Sequence, residues 1–127
     1  MELSTNGPGN ELAPKEAGLV LATQDVLTAT IAQLAKDLER SAERITGPAA
    51  DPGAFEALRG EVLPLLEEHL EEGSLDRVLY RVDVPERWTA DALRTGGLHE
   101  LAGRVVLRAL QKVLTRRRFS GSGGATP

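Results

Sequence analysis

The sequence predicts an all-α fold: a compact helical bundle of about five helices with flexible N- and C-terminal tails. Three observations carry that expectation. Apolar residues recur at i, i+3, i+4 and i+7 over long stretches, which puts them on one face of a helix. Period-two alternation is nowhere sustained; Val82-Asp83-Val84 alternates, but over three residues only. Aromatic residues make up 3% of the 127 residues, so the core must be Leu, Val, Ile and Ala. Packed helices use such a core more readily than a β-sandwich, whose strands favour β-branched and aromatic side chains.

The length allows one domain. Residues 1–14 combine glycine, proline and small polar residues and read as a disordered arm. Residues 15–119 form the helical domain. Residues 120–127, rich in Gly and Ser, read as a disordered tail that starts once Phe119 is passed.

Within the domain, a first helix is expected over 18–45. Leu19, Val20, Leu27, Ile31, Leu34, Leu38 and Ile45 supply its apolar stripe. Gly47-Pro48 is a suitable stop, since glycine accepts a left-handed backbone and proline cannot continue a helix. Asp51-Pro52 reads as an N-cap followed by proline at the first helical position. Phe55, Leu58, Val62, Leu65, Leu66 and Leu70 then follow at helical spacing, with a bend expected at Pro64 and a stop at Gly73. Ser74 is expected to cap a short third helix carrying Leu75, Val78, Leu79 and Val82. Pro85 opens a fourth, over about 86–94, which Gly96-Gly97 ends. The first two helices are expected to lie antiparallel, with the last one packed across them.

The final helix is the most regular. Leu98, Leu101, Ala102, Val105, Val106, Ala109, Leu110, Val113 and Leu114 form one apolar face. Arg104, Arg108, Lys112 and Arg116 run along its back at intervals of four, followed by Arg117 and Arg118. Residues 98–118 hold six of the chain's 15 basic residues and one of its 19 acidic ones. The rest of the chain is therefore distinctly acidic. The net charge of −4 argues against nonspecific nucleic-acid binding by the whole surface.

The string Leu79-Tyr80-Arg81-Val82-Asp83-Val84-Pro85-Glu86, with Arg108-Ala109-Leu110-Gln111-Lys112 and Arg116, resembles a set of short uncharacterised bacterial helical proteins. These share a Leu-Tyr-Arg-x-Asp-Val-x-Glu motif and a later helix bearing Arg and Gln-Lys. The resemblance covers about the last half of the helical domain. It implies a helical fold and no activity. Pro85 stands where that motif has a serine-like cap, which leaves the capping there open.

Chemistry-bearing candidates are few. The absence of cysteine excludes disulfides, thiolate catalysis and thiolate metal sites. Glu67-Glu68-His69-Leu70-Glu71-Glu72 holds the residue types of a metal site. A carboxylate-bridged pair of metals needs Glu-x-x-His, however, and position 66 is Leu66 while position 96 is Gly96. The segment reads as a solvated acidic face with His69 at the edge of the apolar stripe. Tyr80, Arg81 and Asp83 form a polar knot between two short helices, with no nucleophile or second base nearby in sequence. Satisfying backbone groups freed between the helices is the expected role of Tyr80 or Asp83. Gly96-Gly97 lacks the strand and spacing of a phosphate loop, and no serine sits in a nucleophile elbow. No catalytic, metal or cofactor-binding residue is assigned.

Residues 1–10 lack the basic and apolar regions of a secretion signal. The most apolar window, 18–35, is interrupted by Thr23, Gln24, Asp25 and Gln33, so no membrane role is expected. A cytoplasmic location is the default. The expected function is a non-enzymatic protein-interaction or assembly module whose working surface is Arg104, Arg108, Lys112, Arg116, Arg117 and Arg118. That stripe would meet an acidic partner, another copy, or the Glu67 to Glu72 surface within the fold. The alternative is a nucleic-acid accessory protein using the same helix, disfavoured because aromatic interleaving and a second basic element are missing. A small enzyme centred on Tyr80, Arg81, Asp83 and His69 ranks third.

Overall fold

The computed structural model describes residues 13–124. It contains α1 (Pro14–Leu21), α2 (Gln24–Asp37), α3 (Ala54–Glu72), α4 (Leu75–Val82) and α5 (Glu86–Gly124), with a 3-10 turn at Ala42–Arg44. There is no strand among the described residues, and the all-α expectation holds. Most of the expected arm and the last residues of the expected tail, 1–12 and 125–127, lie outside the described residues. Among the described residues α1 begins at Pro14 and the α5 backbone runs to Gly124.

The single helix expected over 18–45 is two helices bent by 109°. Leu21 on α1 and Leu27 on α2 are both fully buried. They are six residues apart, which at about 100° per residue puts them roughly 120° apart on a straight helix. No straight helix presents both to one core. The break at Ala22-Thr23 resolves this: Thr23 is extended (φ −98°, ψ 123°) and restarts the helix. One cost is Leu19, counted on the expected stripe but 65% exposed.

α2 stops eight residues earlier than Ile45. Leu38 is its C-cap, and Glu39 follows in the left-handed region at φ 58°. The Arg40 N–H donates to the Ala35 carbonyl (3.0 Å), and the Glu39 N–H to that of Lys36 (3.2 Å). This pair of bonds is the helix-ending motif that usually takes glycine at the left-handed position. A β-carbon there costs on the order of 1 kcal/mol or more, so other contacts must hold Glu39 in place. The stretch after it crosses to α3 through the 3-10 turn, and Ile45 is buried within the connection.

α3 begins at Ala54 rather than at Pro52. Asp51 accepts the Gly53 N–H on its own carboxylate at 2.8 Å, and its carbonyl accepts the Ala54 N–H at 2.9 Å. The aspartate closes a turn two residues long before the helix proper starts. Helical structure runs unbroken through Pro64 and ends at left-handed Gly73 (φ 79°). Ser74 is the N-cap of α4, but its side chain makes no capping bond. Asp83, at φ 74°, ends α4 through its backbone: its N–H donates to the Leu79 and Tyr80 carbonyls at 2.9 and 3.1 Å. Pro85 takes over the capping left open in sequence. Its carbonyl accepts the N–H groups of Trp88 and Thr89, both at 3.0 Å.

α5 is broken once, at Gly97 (φ 65°, ψ −152°), a conformation reserved for glycine. Its second half carries the core: Leu101, Ala102, Val105, Val106, Ala109, Leu110 and Val113 are all buried. α2 and α3 pack chiefly on α5 rather than on each other. This corrects the expected antiparallel pair. α5 is buried along a band wide enough to need two covering helices, so it occupies the middle of the bundle.

Leu110 is fully buried at the centre of that band. Leu110→Ala is expected to lower the unfolding free energy by about 2–5 kcal/mol through lost transfer and cavity terms. An unchanged denaturant midpoint would contradict the central position of α5.

Candidate functional site

Much of the basic back of α5 is engaged within the same chain. Arg104 bonds Asp91 at 3.2 Å and Glu100 at 3.3 Å, joining the two halves of α5 across the Gly97 break. Arg108 donates to the Asp83 carboxylate at 2.7 Å and to the Asp83 carbonyl at 3.1 Å. Lys112 reaches the Asp37 carboxylate at 2.7 Å and the Arg81 carbonyl at 2.9 Å. Arg116 donates to the Gln33 side chain at 2.9 Å. Gln33 in turn donates to Asp37 at 3.0 Å. The result is one polar seam running from α4 along α2. Its pairing order, Asp37 with Lys112 and Gln33 with Arg116, makes α2 and α5 antiparallel.

Asp37 explains why the seam matters. Its side chain is 7% exposed, and it sits at the C-terminal end of α2, where the helix dipole disfavours an anion. Lys112 and Gln33 compensate both effects. Of the six basic residues singled out in sequence, Arg116, Arg117 and Arg118 are exposed; Arg104, Arg108 and Lys112 are half-buried and engaged. The acidic Glu67 to Glu72 face is not their partner. Glu68 instead takes Arg40 (3.0 Å) and Arg44, and Glu72 takes Arg40 (3.1 Å). These cations come from the connection between α2 and α3.

His69, expected at the edge of the apolar stripe, lies wholly inside the fold and is fully buried. Its Nε2 lies 2.7 Å from the Leu38 carbonyl and its Nδ1 2.7 Å from the Ser74 hydroxyl. A carbonyl only accepts, so Nε2 carries a proton and donates it. The histidine thereby satisfies a carbonyl left over where α2 ends. This is why the Ser74 hydroxyl does not cap α4: it is committed to the imidazole. Among the described residues, no group of three or more His, Asp or Glu side chains is arranged to hold a metal ion.

Tyr80, Arg81 and Asp83 diverge. Arg81 turns to α2, where it meets Glu39 at 3.4 Å and the Lys36 carbonyl at 3.3 Å. The Asp83 carboxylate turns to Arg108. Tyr80 is 85% exposed. The three share no reaction centre. Of the two residues expected to satisfy backbone groups freed between the helices, Asp83 does so, through its own N–H to the Leu79 and Tyr80 carbonyls; Arg81 and Lys112 serve the Lys36 and Arg81 carbonyls.

Tyr80 and Asp83 do line one groove, of about 880 Å³, between α4 and the first half of α5. Leu79, Val84, Pro85 and Leu93 give it an apolar lining, with Tyr80 beside them. Asp76, Asp83 and Glu86 also line it, and no Lys, Arg or His does. Both Tyr80 and Leu93 are exposed large side chains. The sequence showed neither the groove nor its charge, because its walls come from residues 76–86 and 89–93 brought together by the turn at Asp83–Pro85.

Arg59 was likewise not legible. It lies over the Phe55 ring, 5.2 Å from the centroid, with Nη1 3.2 Å from His99 Nδ1. Its guanidinium fits because residue 103 is glycine; a β-carbon there would stand 2.9 Å from Nη2. A lone Gly103 inside a helical pattern was the available signal.

No protein-family model, curated protein or solved structure matches this chain.

Two predictions test the seam and its neighbours. Lys112→Ala leaves Asp37 buried beside no cation and is expected to cost about 1–3 kcal/mol, below the range for a fully buried pair because Lys112 is partly solvated. Arg118→Ala, outside the seam, should stay within about 0.5 kcal/mol of the parent. Equal effects in chemical denaturation would place the basic stripe outside the fold's internal pairing.

The second concerns acid. Hydrogen bonding to Arg77, with the charge of Arg81 added, holds the Glu39 carboxyl below its ordinary value of 4.5. Arg44 and then Arg40 do the same for Glu68. Both contributions are present above pH 4.5, the unfolded value, and are lost as pH falls through the lower folded values. A chain with Glu39→Gln and Glu68→Gln should therefore show a shallower decline in melting temperature below that pH than the parent. Parallel acid limbs would contradict these assignments.

Proposed function

We propose that this chain is a non-enzymatic protein-interaction or assembly module, and that the groove between α4 and the first half of α5 is its working surface. The observation that carries this reading is the groove's chemistry: an apolar lining with exposed Tyr80 and Leu93, three carboxylates, and no cation. Tyrosine beside aliphatic side chains suits protein contact, since it supplies large area at low entropic cost. The side chains able to do chemistry elsewhere are committed to the fold, His69 to Leu38 and Ser74, and Arg81 to α2.

A second reading, a nucleic-acid accessory protein, draws on consecutive exposed Arg116, Arg117 and Arg118. Three arginines can neutralise few phosphates. The half-buried members of the stripe are occupied by Asp91, Glu100, Asp83 and Asp37. That end alone gives weak, steeply salt-dependent affinity.

One set of binding measurements separates the two. Selection from a displayed random-peptide library is expected to enrich sequences that combine Lys or Arg with apolar residues, and Leu93→Lys should abolish the enrichment. Labelled single-stranded and duplex oligonucleotides should bind only in the weak nonspecific range at about 150 mM salt. No peptide enrichment over the Leu93→Lys chain would overturn the first reading. Submicromolar oligonucleotide binding, lost when Arg116, Arg117 and Arg118 are all replaced by Ala, would put the second in its place.

A further inference from the structure

Building on the interaction reading above, we infer that the groove receives the basic end of α5, Arg116 to Arg118, from a second copy of the same chain. The first ground is charge. Of the groove's carboxylates, Asp83 is paired with Arg108, whereas Asp76 and Glu86 form no ion pair among the described residues. An occupant must bring cations to them and an apolar group to Leu79, Val84 and Leu93.

The chain carries such a segment. Arg117 and Arg118 are exposed and form no ion pair among the described residues, and Arg116 meets only the neutral Gln33. In sequence, Phe119 follows directly. Three cations next to an aromatic residue complement a groove of carboxylates around an apolar lining.

The same molecule cannot supply that segment to its own groove. Arg108 marks where α5 passes the groove, through its bond to Asp83. From there α5 is continuous helix and runs along α2 to Arg116 at Gln33. Eight residues at about 1.5 Å each carry the arginines ~12 Å along the helix axis, away from Asp83. Returning would require unwinding the turns that bury Ala109, Leu110 and Val113. The donor is therefore another copy. Because groove and basic end are different surfaces, copies add head to tail or exchange ends reciprocally.

Sedimentation of the full chain over a concentration and salt series tests this. Two charge-reversed chains serve as probes, Arg117→Glu with Arg118→Glu, and Asp76→Lys with Glu86→Lys. All four positions are exposed, and circular dichroism checks that helicity is retained. The single variants Arg118→Glu and Glu86→Lys stand in should a double variant misfold. The parent mass should rise with concentration and fall with added salt. Each reversed chain alone should associate at least tenfold more weakly, and an equimolar mixture of the two should recover association, since reversed end and reversed groove again match. Association of the parent that neither reversal weakens, or a mixture that stays monomeric, overturns the inference and leaves the interaction reading standing. A parent that is monomeric throughout also overturns it; the peptide selection then decides the interaction reading separately.

Discussion

The second half of α5 is the surface on which the bundle depends. Its buried residues, from Leu101 to Val113, cannot be covered by one neighbour, so α2 and α3 must both lie against it. Small residues lie among those buried ones. Ala102 and Ala109 are fully buried there, and Gly103 admits the Arg59 guanidinium. With α5 in the middle, every other element is placed by what it covers: α2 along the basic back, α3 on the other flank, and α4 beside the Asp83–Arg108 bond.

A central helix with a basic back sets an electrostatic condition as well. Arg104, Arg108 and Lys112 lose much of their water on packing, and each must meet an acceptor or an anion. The chain answers with Asp91, Asp83 and Asp37 from three different places in the sequence. Fully exposed ion pairs contribute about 0–1 kcal/mol. The Asp37–Lys112 pair is more consequential because removing one side strands the other in the interior. The end of α2 concentrates these demands: Asp37 meets Lys112, the Leu38 carbonyl meets His69, and left-handed Glu39 meets Arg77 and Arg81. Each contact also fixes α2 against a different helix. The strained backbone at Glu39 persists because its side chain is held from α4.

The helical fold and the α5 core were legible chiefly from periodicity, and the stops at Gly73 and Gly97 from the glycines themselves. Periodicity is local, and it reports a face reliably when one helix presents one face to one core. It failed where that condition failed. Leu21 and Leu27 both look apolar in a long window, and only the six-residue spacing between them hints that a bend is needed. His69 was placed only at the edge of the apolar stripe because four glutamates surround it in sequence, yet Leu65 and Leu66, four and three residues before it, share its inward side. The basic stripe was visible, but its destination was not. A sequence displays cations without the anions that fold onto them, and Asp37 and Lys112 are 75 positions apart.

The same logic bears on function. A surface feature read from sequence is a stock of groups before folding, and folding draws on that stock. Here it consumes the middle of the basic stripe and the histidine. Left over are two unequal remainders, the exposed arginines at the end of α5 and the acidic, apolar-lined groove beside α4. They carry opposite charge, and the intervening helix holds them apart within one molecule. Direct pairing between them, as inferred above, therefore requires a second molecule. That geometric separation is what makes a second copy, and not the chain's own end, the occupant inferred for the groove.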